Sequence, residues 1–180
     1  MSTEWRYDAL AQPLPDGSFD VARRLVEDYR MADPAIVRAS WDRGAPLLGR
    51  EMLLQLRVRQ LLWVHARVRV TRVWDEQRDG ARVFGFEYET LPGHLEIGRM
   101  DYEVWGWADG SVEFRLHARS KASGQGAWWA RLGFVLFGRR EQVRFYLRCC
   151  ARMALLTARE LGLPEVRPPS PVRLAMPAAP

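Results

Sequence analysis

Phe84-Gly85-Phe86-Glu87-Tyr88-Glu89-Thr90-Leu91-Pro92-Gly93-His94-Leu95-Glu96-Ile97-Gly98 is the stretch around which the chain is organised. Aromatic residues occupy every second position through Tyr88 and then give way to Leu-Pro-Gly, so the spacing predicts a strand that ends in a tight turn. Successive strand side chains point to opposite faces. Phe84, Phe86 and Tyr88 therefore belong to a buried face, and Glu87 and Glu89 to the solvent side.

The same period of two recurs on both sides of this strand. Leu54, Leu56 and Val58 alternate with Gln55, Arg57 and Arg59, and Val64, Ala66, Val68 and Val70 alternate with His65, Arg67, Arg69 and Thr71. Asp79-Gly80 supplies turn chemistry before the central strand. Beyond it, Met100, Tyr102 and Val104 alternate with Asp101 and Glu103. Ala108-Asp109-Gly110 then turns the chain into Val112, Phe114, Leu116 and Ala118, which alternate with Glu113, Arg115, His117 and Arg119. Half-buried antiparallel strands joined as a meander are the simplest reading.

Helical spacing appears near the two ends. Residues 4–12 read as a short first strand or an extended arm, and Phe19 to Tyr29 as an amphipathic helix with Ser18 as its cap. Asp33-Pro34 predicts the start of a second short helix, with Ile36, Val37 and Trp41 on one side and Gly44 at its end. After the flexible Ser120 to Gly126 connection, residues 128–161 hold no interior proline and predict one long helix, bent near Gly133 or Gly138 and stopped by Gly162-Leu163-Pro164. The expectation is an α+β fold of six or seven antiparallel strands curved around a long C-terminal helix, with two short helices near the N-terminus. Residues 1–162 make one domain, and the Pro-rich residues 163–180 a tail that can lie against it.

With 180 residues, 48% hydrophobic and 27% charged, the chain suits one well-filled core and is not of disordered type. A net charge of +5 and a pI near 9.7 invite a nucleic-acid reading. Lys121 is the sole lysine, however, and the arginines are spread through every segment, a pattern of genome composition rather than of a phosphate-binding patch. No apolar run follows Met1-Ser2-Thr3-Glu4-Trp5-Arg6 and no segment is long enough to span a bilayer, so a cytoplasmic location is expected. Cys149 and Cys150 are adjacent on a helix, where a mutual disulfide would be strained, and read as buried thiols.

The motif Gly85-Phe86-Glu87-Tyr88-Glu89-Thr90-Leu91-Pro92-Gly93-His94, preceded by Leu53-Leu54-Gln55-Leu56 and Arg82-Val83-Phe84, resembles the domain-of-unknown-function family nineteen-ninety. That family's central motif runs approximately Phe-Gly-Phe-x-Tyr-Gly-Thr-Leu-Pro-Gly-His-Pro-Glu-x-Gly-Glu, and weaker similarity extends over residues 50–147. Its members look like part of the helix-grip superfamily, with the START lipid-transfer domains, the birch-pollen allergen and the polyketide cyclases. The resemblance implies a hydrophobic cavity and no particular reaction. The chain departs from the pattern at Glu89, where the family has glycine, at Leu95, where it has proline, and at Arg99, where it has glutamate.

Several residues invite functional readings. His94 follows a Pro-Gly turn at a strand end, a place that can present an imidazole to a pocket mouth for acid–base work or merely cap the turn. Glu96 and Arg99 could orient it, bind a ligand carboxylate or form a surface ion pair. Glu87 and Glu89, about 7 Å apart on one face, approach the spacing of glycosidase carboxylates, but solvent-side placement argues against catalysis. On the apolar face, Phe86, Tyr88, Met100, Tyr102, Phe114 and Leu116, with His94 and Trp129, are the candidate ligand-binding residues. Tyr88 and Tyr102 stand out, since a buried phenol needs a hydrogen-bond partner and can offer it to a ligand. Trp128 and Trp129 with the apolar residues after them read as the opening turn of the closing helix in preference to an interfacial membrane segment. Trp105 and Trp107 alternate with core positions, which makes them a candidate partner surface.

No phosphate-cradling glycine loop or nucleophile elbow is present, and His65, His94 and His117 lie on separate elements, so no cofactor or metal is expected. The leading expectation is a non-catalytic binder of a small hydrophobic molecule. An enzyme of cyclase, dehydratase or hydrolase type using His94 with Tyr88 or Glu96 comes second, and an interaction module using Trp105, Trp107 or Trp128 third.

Overall fold

The period-two runs form one antiparallel sheet. The computed structural model describes residues 2–9, 17–58, 62–91, 96–122, 139–164 and 172–174. The elements are β1 (Ser2–Ala9), α1 (Ser18–Glu27), β2 (Val37–Ser40), β3 (Glu51–Val58), β4 (Leu62–Arg78), β5 (Ala81–Thr90), β6 (Glu96–Gly106), β7 (Val112–Ala122), α2 (Arg139–Glu160) and β8 (Val172–Leu174). The strand order is β2-β3-β4-β5-β6-β7-β1-β8, eight strands among the described residues where six or seven were expected. From β3 to β7 it is the expected meander. The unexpected strands are β2, on the edge of β3, and β8, through which Val172 to Leu174 of the predicted tail pair with β1.

Turn chemistry fixes the register. Asp79 and Gly80 both take positive φ, 53° and 80°, the backbone of the tight hairpin turn that matches strand twist, and Arg78 lies opposite Ala81. At the next hairpin the Gly110 amide donates to the Trp107 carbonyl at 3.0 Å, so β6 and β7 pair from Gly106 opposite Val112 through Glu96 opposite Ala122.

On the inner face of the curved sheet, Phe84, Phe86, Tyr88, Met100, Tyr102, Val104, Phe114 and Leu116 share one core with Val21, Leu25 and Val26 of α1 and Tyr146, Cys149, Cys150 and Met153 of α2. This is the helix-grip arrangement. Arginines tie α2 to the turns after α1. Arg148 meets Asp33 at 2.6 Å, Arg152 donates to the Arg30 carbonyl at 2.8 Å, and Arg30 meets Glu160 at 2.6 Å. The expected stop at Gly162 is present, with positive φ and the Leu163 amide donating back to Ala158 at 2.9 Å. Of the predicted 128–161 helix, residues 128–138, including both proposed bend positions, lie outside the described residues.

Two local expectations fail. The second short helix is a single turn: Asp33 caps it as expected, its carboxylate accepting the Ala35 amide at 2.9 Å, but Val37 to Ser40 then pair with β3. The exposed edge of β3 offers a ladder of backbone partners, and β-branched Ile36 and Val37 take it. Ser18 does not cap α1 either. The cap position falls on Gly17, which takes a left-handed φ of 99°, and Ser18 is buried in the first turn.

Gly85 marks a close approach. A Cβ at this position would lie 2.6 Å from the Tyr102 carbonyl oxygen and 2.7 Å from the Trp74 ring. Gly85→Ala is therefore expected to lower the unfolding free energy in urea by about 1–3 kcal/mol, the usual cost of overpacking. A loss below about 0.5 kcal/mol would show that the Trp74 ring and the strand yield freely.

Candidate functional site

The six described candidates for ligand binding converge. Phe86, Tyr88, Met100, Tyr102, Phe114 and Leu116 are all buried on the inner face, and the register sets Phe86 opposite Tyr102, Tyr88 opposite Met100 and Tyr102 opposite Leu116. Tyr102 is the centre. Its ring lies 5.3 Å from Phe86, 5.8 Å from Tyr88 and 6.4 Å from Phe114, and the Tyr29 ring meets it edge-on at 5.7 Å.

Three hydroxyls meet in this apolar layer. The Tyr102 oxygen is 3.0 Å from that of Tyr29 and 3.4 Å from that of Tyr88. The Met100 sulfur accepts from Tyr88 at 3.4 Å and from Tyr102 at 3.3 Å. Burial first, and neighbouring phenols after it, push the Tyr29 and Tyr102 hydroxyls well above the ordinary tyrosine value, so both keep their protons. Burial likewise raises the thiols of Cys149 and Cys150, the latter to about 12, which makes them packing residues rather than nucleophiles.

Tyr29 escapes the sequence reading as a site residue. It extends the apolar spacing of α1 past Leu25, but only the fold brings it to Tyr102. Its φ of 54° is in the left-handed region, where a bulky side chain is uncommon. A tyrosine at the helix-end position that usually takes glycine was the available signal.

His94 and Trp129 lie outside the described residues, as does Trp128. Glu96 opens β6, with its side chain likewise outside them. Arg99 does have a described partner, and it is Glu89, directly opposite on β5 at 2.7 Å. Two of the three departures from the family pattern thus face each other as one cross-strand ion pair. Its exposure keeps its energetic worth small.

The outer face of the sheet corrects the sequence reading twice. Glu87, expected in solvent, is 4% exposed, and Trp105, expected on an open partner surface, is 3% exposed. Side chains from the same sheet cover them. Trp105 donates to Glu103 at 2.9 Å, stacks on Trp107 at 5.8 Å and carries the Arg115 guanidinium 3.6 Å over its ring. Glu103 also accepts from Arg78 at 2.8 Å. A docking face built on Trp105 is closed. Glu87 accepts from Thr71 at 3.1 Å while Glu89 is held by Arg99, so the two carboxylates do not work as a pair.

A row of titratable groups crosses three strands here, Glu87 opposite Asp101 and Asp101 opposite His117. Thr71, at the β4 bulge, points its hydroxyl at Glu87, and His117 Nδ1 is 3.8 Å from Asp101. Burial and then the Glu87 charge push the Asp101 carboxyl up to about 6, against the opposing pull of His117 and Arg119. Counting register outward from the two hairpin turns would have revealed this row. Among the described residues, no group of three or more His, Cys, Asp or Glu could hold a metal ion, and no helix is long and apolar enough to cross a membrane.

The model of the family described as Domain of unknown function (DUF1990) matches residues 3–152. The chain belongs to this family. As a DUF1990 fold it is similar to a protein of unknown function from Staphylococcus aureus, with a TM-score of 0.50, 8% identity, and 90% of this chain and 97% of that one covered. A hypothetical protein from Helicobacter pylori gives a TM-score of 0.48 at 8% identity, with 83% of each chain covered. Ginseng major latex-like protein 151 from Panax ginseng gives 0.42 at 14%, with 82% of this chain and 99% of that one covered. No curated protein matches. At these identities only the fold is shared.

Because Asp101 binds its proton more tightly folded than unfolded, its contribution to stability is fully present below the unfolded carboxylate value and is lost as pH rises through about 6. Asp101→Asn should remove that loss and stabilise the protein near neutrality, by on the order of 1 kcal/mol after solvent screening. Urea unfolding across this range checks it, and a variant curve parallel to the parent's would refute it.

Proposed function

We propose that the protein binds a small hydrophobic molecule, lipid-like or polyketide-like, between the inner face of the sheet and α2, without transforming it. The observation that carries this reading is the inner face itself: a broad aromatic surface of Phe86, Tyr88, Met100, Tyr102 and Phe114 with a few convergent hydroxyls at its centre. Small-molecule sites combine these features, apolar area for affinity and a few polar groups for orientation. Met100 and Met153 add side chains that repack readily around a guest. In this reading the binding unit is residues 1–162, and Val172 to Leu174 of the tail beyond it pair with β1.

Native mass spectrometry of freshly purified protein is expected to show an apolar compound bound one to one. Stripping the compound should lower the thermal midpoint by about 5 °C or more, as loss of a ligand present well above its dissociation constant does. Protein that carries no compound and whose midpoint is unmoved by organic extraction and by added apolar fluorophores would overturn the reading.

A further inference from the structure

We propose that the outer face of β2, β3 and β4 binds single-stranded nucleic acid, with Arg38, Arg57, Arg67 and Arg69 on its phosphates and its bases laid against Trp63 and the guanidinium groups over that ring. This surface is on the opposite side of the sheet from the small-molecule site and stands independently of that reading.

Strand pairing gathers what the sequence spreads out. The four arginines come from three strands, and the register sets Arg57 opposite Trp63, Gln55 opposite His65 and Glu51 opposite Arg69. Alternation turns them all outward, since Val37, Met52, Leu54, Ala66 and Val68 between them belong to the core. The even run of arginine along the chain thus conceals a patch. The Arg67 and Arg69 side chains are 69% and 51% exposed, and Arg38 and Arg57 are exposed as well.

Their partners leave this patch positive. Glu51 takes both Arg67, at 2.8 Å, and Arg69, at 2.5 Å, so two cations share one carboxylate. Glu89, opposite Arg69, is taken by Arg99 at 2.7 Å. Arg38 donates to the Pro34 carbonyl at 3.2 Å, a neutral partner, and lies with Arg57 over the Trp63 ring, 4.7 Å and 5.7 Å from its centre. Farther along the sheet the balance is different, with Arg78 held by Glu76 and Glu103 and Arg115 by Glu113. The whole chain carries +5, and among the described residues of β2 to β4 that face outward here, four arginines meet one glutamate.

Shape selects the single strand. A three-stranded face is too broad for the groove of a duplex, which admits one helix or a two-stranded ribbon. Unpaired bases have open faces that stack on indole rings and on guanidinium planes alike. An arginine laid on a ring keeps its N–H groups at the rim, within reach of a phosphate. Gln55 and His65, joined at 3.2 Å in the middle of the patch, offer hydrogen-bonding groups to base edges. A lipid surface is the poorer fit, because Leu53 and Trp63, the large apolar side chains offered, are both more than half covered.

Fluorescence anisotropy of labelled oligothymidylate and oligouridylate, each about ten nucleotides long, titrated with the full chain tests the assignment. Micromolar binding is expected at about 50 mM salt, and log affinity should fall against log salt with a slope of about −3, as for four phosphate contacts on a single strand. Arg57→Gln and Arg67→Gln should each bring that slope about 0.7 nearer zero. Arg24→Gln, which removes the same charge from exposed α1 surface on the other side of the sheet, should leave it unchanged. Trp63→Leu should weaken both oligonucleotides about tenfold at unchanged slope, and Trp63→Phe should recover most of the loss. Circular dichroism and thermal midpoints establish folding, and if Trp63→Leu does not fold, the arginine variants decide the question. Tighter binding of one oligonucleotide tells DNA from RNA and supports the site in either case. No binding at low salt, an equal effect of Arg24→Gln, or equally tight binding of a duplex of the same length or of phosphatidylglycerol vesicles would overturn it. None of these results touches the inner-face reading, whose apolar ligands should bind the variants as they bind the parent.

Discussion

Over residues 83–88 and 102–105, strands β5 and β6 have no wet side. The inner face is dried by the helices and the outer face by a canopy of tryptophan and arginine rising from the sheet itself, so a carboxylate on these stretches needs a partner within the protein. An unpaired carboxylate in such a place costs several kcal/mol, on the order of what the whole fold has to spare. The observed pairings follow from that pressure. Glu103 is clasped by Trp105 and Arg78, Glu113 accepts from Arg115 at 2.7 Å, and Glu87 has the hydroxyl of Thr71.

The two faces answer the pressure differently. Outside, charge meets charge, and guanidinium groups lie flat on indole rings, where the cation is attracted by the ring and shields it from water. Inside, the polar groups are neutral phenols, and part of their hydrogen bonding ends on sulfur. The functional reading settles on the inner face because it joins a broad aromatic surface to a few convergent hydroxyls.

Much of this was legible in the sequence. Alternation assigned Phe84, Phe86, Tyr88, Met100, Tyr102, Phe114 and Leu116 to one face, and Asp79-Gly80, Asp109-Gly110 and Gly162 marked where elements end, because each signal is local. What was not legible depends on neighbours distant in sequence. Alternation says which way Glu87 points but not that Trp74, Arg115 and Trp105 will roof the outer side. Asp33-Pro34 does begin a helical turn, and only the waiting edge of β3 converts the next residues into a strand. Tyr29 belongs to the hydroxyl cluster through a backbone twist at the end of α1 that no periodicity encodes.

The placement of β1 has a consequence for biosynthesis. Glu4 lies between His117 of β7 and Leu174 of β8, so β1 leaves the ribosome long before either of its partners exists. While the meander assembles hairpin by hairpin, this early segment must wait with both hydrogen-bonding edges unclaimed, a state that invites pairing with another nascent chain. Closing so wide a loop in sequence costs more chain entropy than closing the local turns, which favours the hairpins first and this pairing last.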